Sequence, residues 1–190
     1  MRKYRFIIGF VVGVSLAVAR GSVEAKDKSL HASFAGTCTN SSGDFSYTGT
    51  PGGENYCTAA GKSTLGQYTA QLVAELQPDG NTCTVAGGSG IELVVVGEDV
   101  VLSFTRRGEQ LFLHLSPSST SHSCLDLATG VGIGQVAFDV NGGTGRFAGA
   151  SGSIVKTFQF IRLAPPADPP GKGFFGSFTG TFDGTIELAH

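Results

Sequence analysis

His114, His122, Cys124 and Asp126 fall close together, and each carries a side chain able to bind a transition metal. Their spacing contains neither Cys-x-x-Cys nor His-Glu-x-x-His, so it matches no established zinc pattern. Cys124 is equally well explained as half of a disulfide, and the sequence predicts no metal and no cofactor. Glu92 lies where both phases of 91–96 are apolar, which makes it the candidate buried acid. Arg106 is in phase with Val100, Leu102 and Phe104, and His114 is in phase with Phe112. A polar group at the mouth of an apolar cavity is the usual construction of a small-molecule site, so Glu92, Phe104, Arg106, Phe112 and His114 are the candidate ligand contacts. In an enzyme, Glu92 or His114 would have to move the proton. The plainer alternative for Arg106 and His114 is a strand-end side chain reaching water.

Two nucleotide-like motifs fail on context. Gly143-Thr144-Gly145-Arg146-Phe147-Ala148 satisfies the loose Gly-x-Gly-x-x-Gly/Ala pattern, but Gly149-Ala150-Ser151-Gly152-Ser153 is a poor helix start. Gly61-Lys62-Ser63 resembles the end of a phosphate loop, yet Tyr56 occupies the position of the first glycine. A Gly-x-Ser-x-Gly nucleophile elbow is also missing from the chain.

The elements that must position these residues read as strands. Phe174, Gly176, Phe178, Gly180, Phe182, Gly184, Ile186 and Leu188 alternate with Phe175, Ser177, Thr179, Thr181, Asp183, Thr185 and Glu187. That period of two puts an apolar and glycine set on one face and a polar set on the other. The in-phase glycines make room for facing aromatics or let the strand coil sharply. Val136, Phe138 and Val140 mark a second such strand, and Asn141-Gly142 behind it predicts a tight hairpin turn. Further strands are expected at 31–37, 65–76, 82–86, 90–97, 99–106, 109–116 and 153–163. Segment 65–76 also fits a helical stripe, and Gly66 with its all-β neighbours decides for strand. Residues 39–63, rich in Gly, Ser, Thr and Asn, are expected to be a long connection, and the proline-rich 164–173 a stiff loop. Glu75, Asp139, Asp183 and Glu187 fall on polar phases and should point to solvent. About nine short strands predict a closed antiparallel barrel, with a β-sandwich as the alternative.

Compartment follows from the ends and the cysteines. Arg2, Lys3 and Arg5 precede an apolar run from Phe6 to Ala19, which is shorter than the ~20 residues a spanning helix needs. Val23-Glu24-Ala25 then offers a signal-peptidase site, so 1–25 is expected to be a signal peptide and 26–190 a single domain, secreted or periplasmic. Its removal takes four basic residues and one acid, leaving 9 basic against 14 acidic side chains. That balance, with no basic block, excludes nucleic acid as the expected partner. No other segment is apolar enough to cross a membrane. Four cysteines in an oxidising space imply two disulfides and allow three connectivities. Cys38–Cys57 with Cys83–Cys124 is favoured, because the first pair brackets a Gly/Ser/Asn-rich stretch with little else to order it. Nothing in the residues indicates an oligomeric interface.

Gly142-Gly143-Thr144-Gly145-Arg146-Phe147-Ala148-Gly149-Ala150-Ser151-Gly152 resembles the signature shared by the allene oxide cyclase barrel and dirigent proteins. Secreted bacterial proteins of this group are similar also at Gly61-Lys62-Ser63-Thr64-Leu65-Gly66 and at 176–186. The resemblance implies an eight-stranded antiparallel barrel with a central cavity. In it Asn141, Gly142, Gly143, Gly145, Phe147 and Gly149 would be structural turn residues. It carries no catalytic position over to this chain. The expected function is binding of a small apolar or amphipathic molecule; a structural extracellular module and a cofactor-free isomerase or cyclase are the alternatives.

Overall fold

The computed structural model describes residues 26–42, 53–118, 121–163 and 175–189. The expected signal peptide 1–25 and the proline-rich 164–173 lie outside the described residues. Nine strands make up nearly all of the described chain: β1 Lys26–Ser42, β2 Gly53–Ser63, β3 Gly66–Val85, β4 Gly88–Phe104, β5 Glu109–Leu115, β6 His122–Leu125, β7 Val131–Gly143, β8 Ser151–Arg162 and β9 Phe175–Leu188. All pairings are antiparallel, in the order β3-β2-β1-β9-β8-β7-β5-β4, and a β3–β4 pairing closes the ring at eight. β5 and β6 share one ring position end to end: each pairs with β4 on one side and β7 on the other. The described strands thus form one antiparallel sheet closed into a ring of eight, the closure expected of the barrel.

The strands differ from their expected bounds for identifiable reasons. Segments 65–76 and 82–86 are one strand, because the break at Pro78-Asp79-Gly80 is a bulge and both halves pair with β4. Segments 90–97 and 99–106 likewise merge into β4, which ends at Phe104 and gives way to a turn over 105–108. The expected long connection 39–63 in fact contains the end of β1 and all of β2. Strand β2 faces inward with Cys57, Ala59 and Gly61, residues too small to produce an apolar alternation. Gly61 must be small: a Cβ on it would stand 2.7 Å from the Tyr68 hydroxyl and 2.0 Å from the Ser33 carbonyl. β6 is only four residues long, too short to leave a periodic signal.

The tight turn expected at Asn141-Gly142 is instead a bulge within β7. Leu111 pairs with Gly143 and Leu113 with Val140, so Asn141 and Gly142 together oppose Phe112, with Gly142 at φ 77°. The chain reverses one step later, through a 3-10 turn at Gly145–Phe147. Gly145 and Gly149 both take positive φ there, which side chains disfavour. Thr144 locks the turn to β5: its N–H donates to the Gln110 carbonyl at 2.8 Å and its Oγ1 accepts from the Gln110 N–H at 2.9 Å. Phe147 is fully buried and stacks 5.0 Å from Phe104. Arg146 lies over both rings, donates to the Leu65 carbonyl at 2.9 Å and pairs with Glu109 at 3.1 Å. The motif at 142–152 therefore caps one end of the barrel.

Above this cap the interior is aromatic. Phe34 packs against Phe178 and Phe182, and Phe182 against Phe138. The alternating glycines of β9 make this possible, since a Cβ on Gly180 would meet the Phe34 ring at 2.7 Å and the Thr157 carbonyl at 2.0 Å. Tyr68 is buried, donates to the Ser33 carbonyl at 3.0 Å, and burial pushes its phenol up to about 12.

Both expected disulfides are present. Cys38 and Cys57 are directly paired across β1 and β2 with their Cα atoms 4.1 Å apart, and face inward. Cys83–Cys124 joins β3 to β6 across β4, over Gly90, where a Cβ would stand 3.0 Å from the Cys124 sulfur. Each bridge stabilises the fold by about 2–4 kcal/mol, mainly by restricting the unfolded chain.

Two outcomes follow. Gly180→Ala should lower stability by about 1–3 kcal/mol, read as a loss in the urea midpoint at unchanged slope. Because the unfolded Tyr68 phenol ionises near 10 and the folded one near 12, the unfolded state loses that proton first, and stability should fall as pH rises between those values. An alkaline unfolding series should show this fall in the native protein and its loss in Tyr68→Phe.

Candidate functional site

Far from the cap, the interior phases of β4 and β8 each carry one charged residue. Glu98 follows the inward register of Phe104, Leu102 and Val100; Lys156 follows that of Ile154, Phe158 and Phe160. The two strands lie three positions apart around the ring, and the side chains meet across its interior in a hydrogen-bonded ion pair. Exposure is 1% for Glu98 and 4% for Lys156. The Lys156 ammonium nitrogen also lies 4.8 Å from the centre of the Phe158 ring and 5.6 Å from that of Phe138.

The pair borders an apolar cavity of about 70 Å³ lined by Leu72, Leu76, Val95, Phe158, Phe160 and Phe178, with Ala74, Asn55 and the Cys38–Cys57 bridge completing the wall. A second cavity of about 230 Å³ shares Asn55, Leu76, Phe158 and Phe160 with it and extends past Pro78, Leu93 and Leu125. Together they form an apolar recess with one charged pair at its inner end. Burial is the largest influence on both charged groups. It pushes the Glu98 carboxyl above its ordinary range against the opposing pull of Lys156, and it holds the Lys156 ammonium below its own against the pull of Glu98.

The five residues expected to contact a ligand are not brought together. Phe104 is buried at the capped end under Phe147. Arg106 is exposed in the turn after β4, so the strand phase that seemed to aim it inward stops two residues short. Phe112 and His114 share a phase, but it is the outer one, because Leu111 and Leu113 take the inner positions of β5. His114 is exposed and its Nδ1 lies 2.6 Å from Asp99. Glu92 is on the outer face, 3.4 Å from the His122 ring nitrogen. Cys124 is committed to Cys83 and has no thiolate to offer a metal.

Of the carboxylates expected to face solvent, Asp139, Asp183 and Glu187 do so. Glu75 keeps its outer phase, opposite Glu54 on β2, yet both are fully buried, and Glu75 accepts a hydrogen bond from Gln77 at 2.9 Å. Of this pair only Lys156 left a signal, as a charge in the apolar phase of Ile154, Phe158 and Phe160; Glu98 falls between the expected strands 90–97 and 99–106, and both phases of 91–96 are apolar. A charge in an apolar phase implies a partner across the core.

No family model matches the chain, and no curated protein matches it either.

Lys156→Met leaves Glu98 buried without its counter-charge and should lower stability by about 3–5 kcal/mol in urea unfolding. The double variant Lys156→Met/Glu98→Leu should recover most of that loss, and the difference between the two measures the coupling.

Proposed function

We propose that this protein is a secreted barrel that binds one small amphipathic molecule in the recess above Glu98 and Lys156. The observation that carries the reading is a buried, oppositely charged pair bordering an otherwise apolar cavity. Packing alone does not require it, since apolar residues of similar volume fill a core at least as stably. A ligand with an apolar body would lie against Phe158, Phe160 and Phe178, and its polar end would reach the pair and Asn55. The basic and apolar start of the chain supports export, as do the two disulfides. Among the described residues no helix is long and apolar enough to cross a membrane. Membership in the allene oxide cyclase barrel-like group belongs to the same proposal. It rests on the motif at 142–152 together with a closed ring of eight strands.

A second reading, a cofactor-free isomerase or cyclase, draws on the same pair, which places a proton donor and acceptor against the cavity.

Titration of the disulfide-bonded protein with 1-aminoanthracene should show saturable fluorescence enhancement at one probe per barrel. Ala74→Leu, which fills the recess, should weaken uptake about tenfold while thermal unfolding stays cooperative. Absence of uptake, or uptake indifferent to Ala74→Leu, would favour the structural module instead.

A further inference from the structure

We infer that the ligand is a carbonyl compound, an aldehyde or unhindered ketone with a compact apolar body, and that Lys156 captures it as an imine. The inference rests on the cavity-binding reading above and specifies the chemistry of the polar end. Three features of the site converge on it.

The first is position. Lys156 is buried yet lines the cavity, so its nitrogen meets an occupant of the recess and not bulk water. The second is the neighbour. Glu98 is hydrogen-bonded to that nitrogen and lines the same cavity, so one carboxyl group can both accept and return a proton at the reacting atoms. The third is the surrounding medium. Phe138 and Phe158 flank the nitrogen, and apart from Asn55 the remaining wall is apolar. Burial works against the charge on both groups, lowering Lys156 and raising Glu98, so transfer of one proton within the pair, which frees the amine lone pair, costs less than at an exposed lysine. A desolvated lysine in an apolar pocket is the form in which an amine attacks carbonyl carbon.

The steps balance without an external reagent. The Lys156 lone pair attacks the carbonyl carbon, the C–N bond forms, and the carbonyl π electrons move to oxygen, which takes the proton of Glu98. The resulting carboxylate removes one proton from the now positive nitrogen and gives a carbinolamine. Glu98 then donates that proton to the hydroxyl group; the C–O bond breaks, water leaves, and the nitrogen lone pair closes the C=N bond. The product is a protonated imine opposite the Glu98 carboxylate, so the buried charge pair persists with the ligand attached.

The test uses cinnamaldehyde with sodium cyanoborohydride on the disulfide-bonded protein, followed by intact mass and peptide mapping. One reduced adduct should form at Lys156, ahead of the exposed Lys62. Lys156→Arg retains a cation for Glu98 but cannot form an imine, and should lose that adduct while Lys62 reacts as before. Glu98→Gln should slow labelling more than tenfold. Cinnamyl alcohol, with the same body and no carbonyl, should compete with the aldehyde. If Lys156 is not labelled, or is labelled no faster than Lys62, the carbonyl inference is overturned. Should cinnamyl alcohol still bind in that case, the cavity reading survives alone; if neither compound enters, both fall.

Discussion

Pairing of β3 with β4 closes the ring, and the other features of the protein depend on that closure. An open sheet of this length would expose two edges of unsatisfied donors and acceptors. Once closed, each strand has a single inner face of limited width, and every inward side chain competes for the same interior. This explains why β2 places Gly61 opposite Tyr68, and why β9 spaces Phe178 and Phe182 with glycines. Large and small inner residues alternate around the ring because the circumference leaves no other way to fill it.

The two ends of the ring are built on different principles. At one end, Phe147 and Arg146 cover Phe104 and tie together the turn at Leu65, the start of β5 and the connection into β8. At the other, beyond the charged pair, Phe158, Phe160 and Phe178 line voids that they do not fill. Rigidity at the capped end lets the far end remain incompletely packed, because closure and core burial there already hold the register of all eight ring positions.

Most of the fold was legible in the sequence because period-two patterns on β7 and β9 are strong and local, while β3 and β4 were read as strands with help from Gly66 and the all-β neighbourhood. Strand β2 was not, since its inner residues Cys57, Ala59 and Gly61 are small: Gly61 makes room for Tyr68, which comes later in the chain, and Cys57 is bridged to Cys38. The Asn-Gly pair misled for a related reason: positive φ is needed there, but for a bulge against Phe112 and not for a reversal. The site was less legible than the fold. Outer-face apolar residues such as Phe112 imitate inner ones, and only the pairing of β5 with β4 and β7 reveals which phase faces in. Lys156 could have been found as a charge in an apolar phase, but that it meets Glu98 is a property of ring order, which strand patterns do not contain.

Glu92 and Glu98 are six residues apart on β4, an even number that would put both on one face of an unbroken strand. They point to opposite sides because β4 holds an extra residue: Glu75 pairs with Gly97 and Leu76 with Val95, which leaves Val96 unmatched. That single residue is a half-turn of the strand about its own axis. It aims Val95 and Leu93 into the recess while sending Glu92 out to His122. The polarity of the chamber's rim is thus encoded as a count of residues as much as by their kinds. Were β4 unbroken, with the same letters, Glu92 would share the inner face with Glu98 and Leu93 would turn outward.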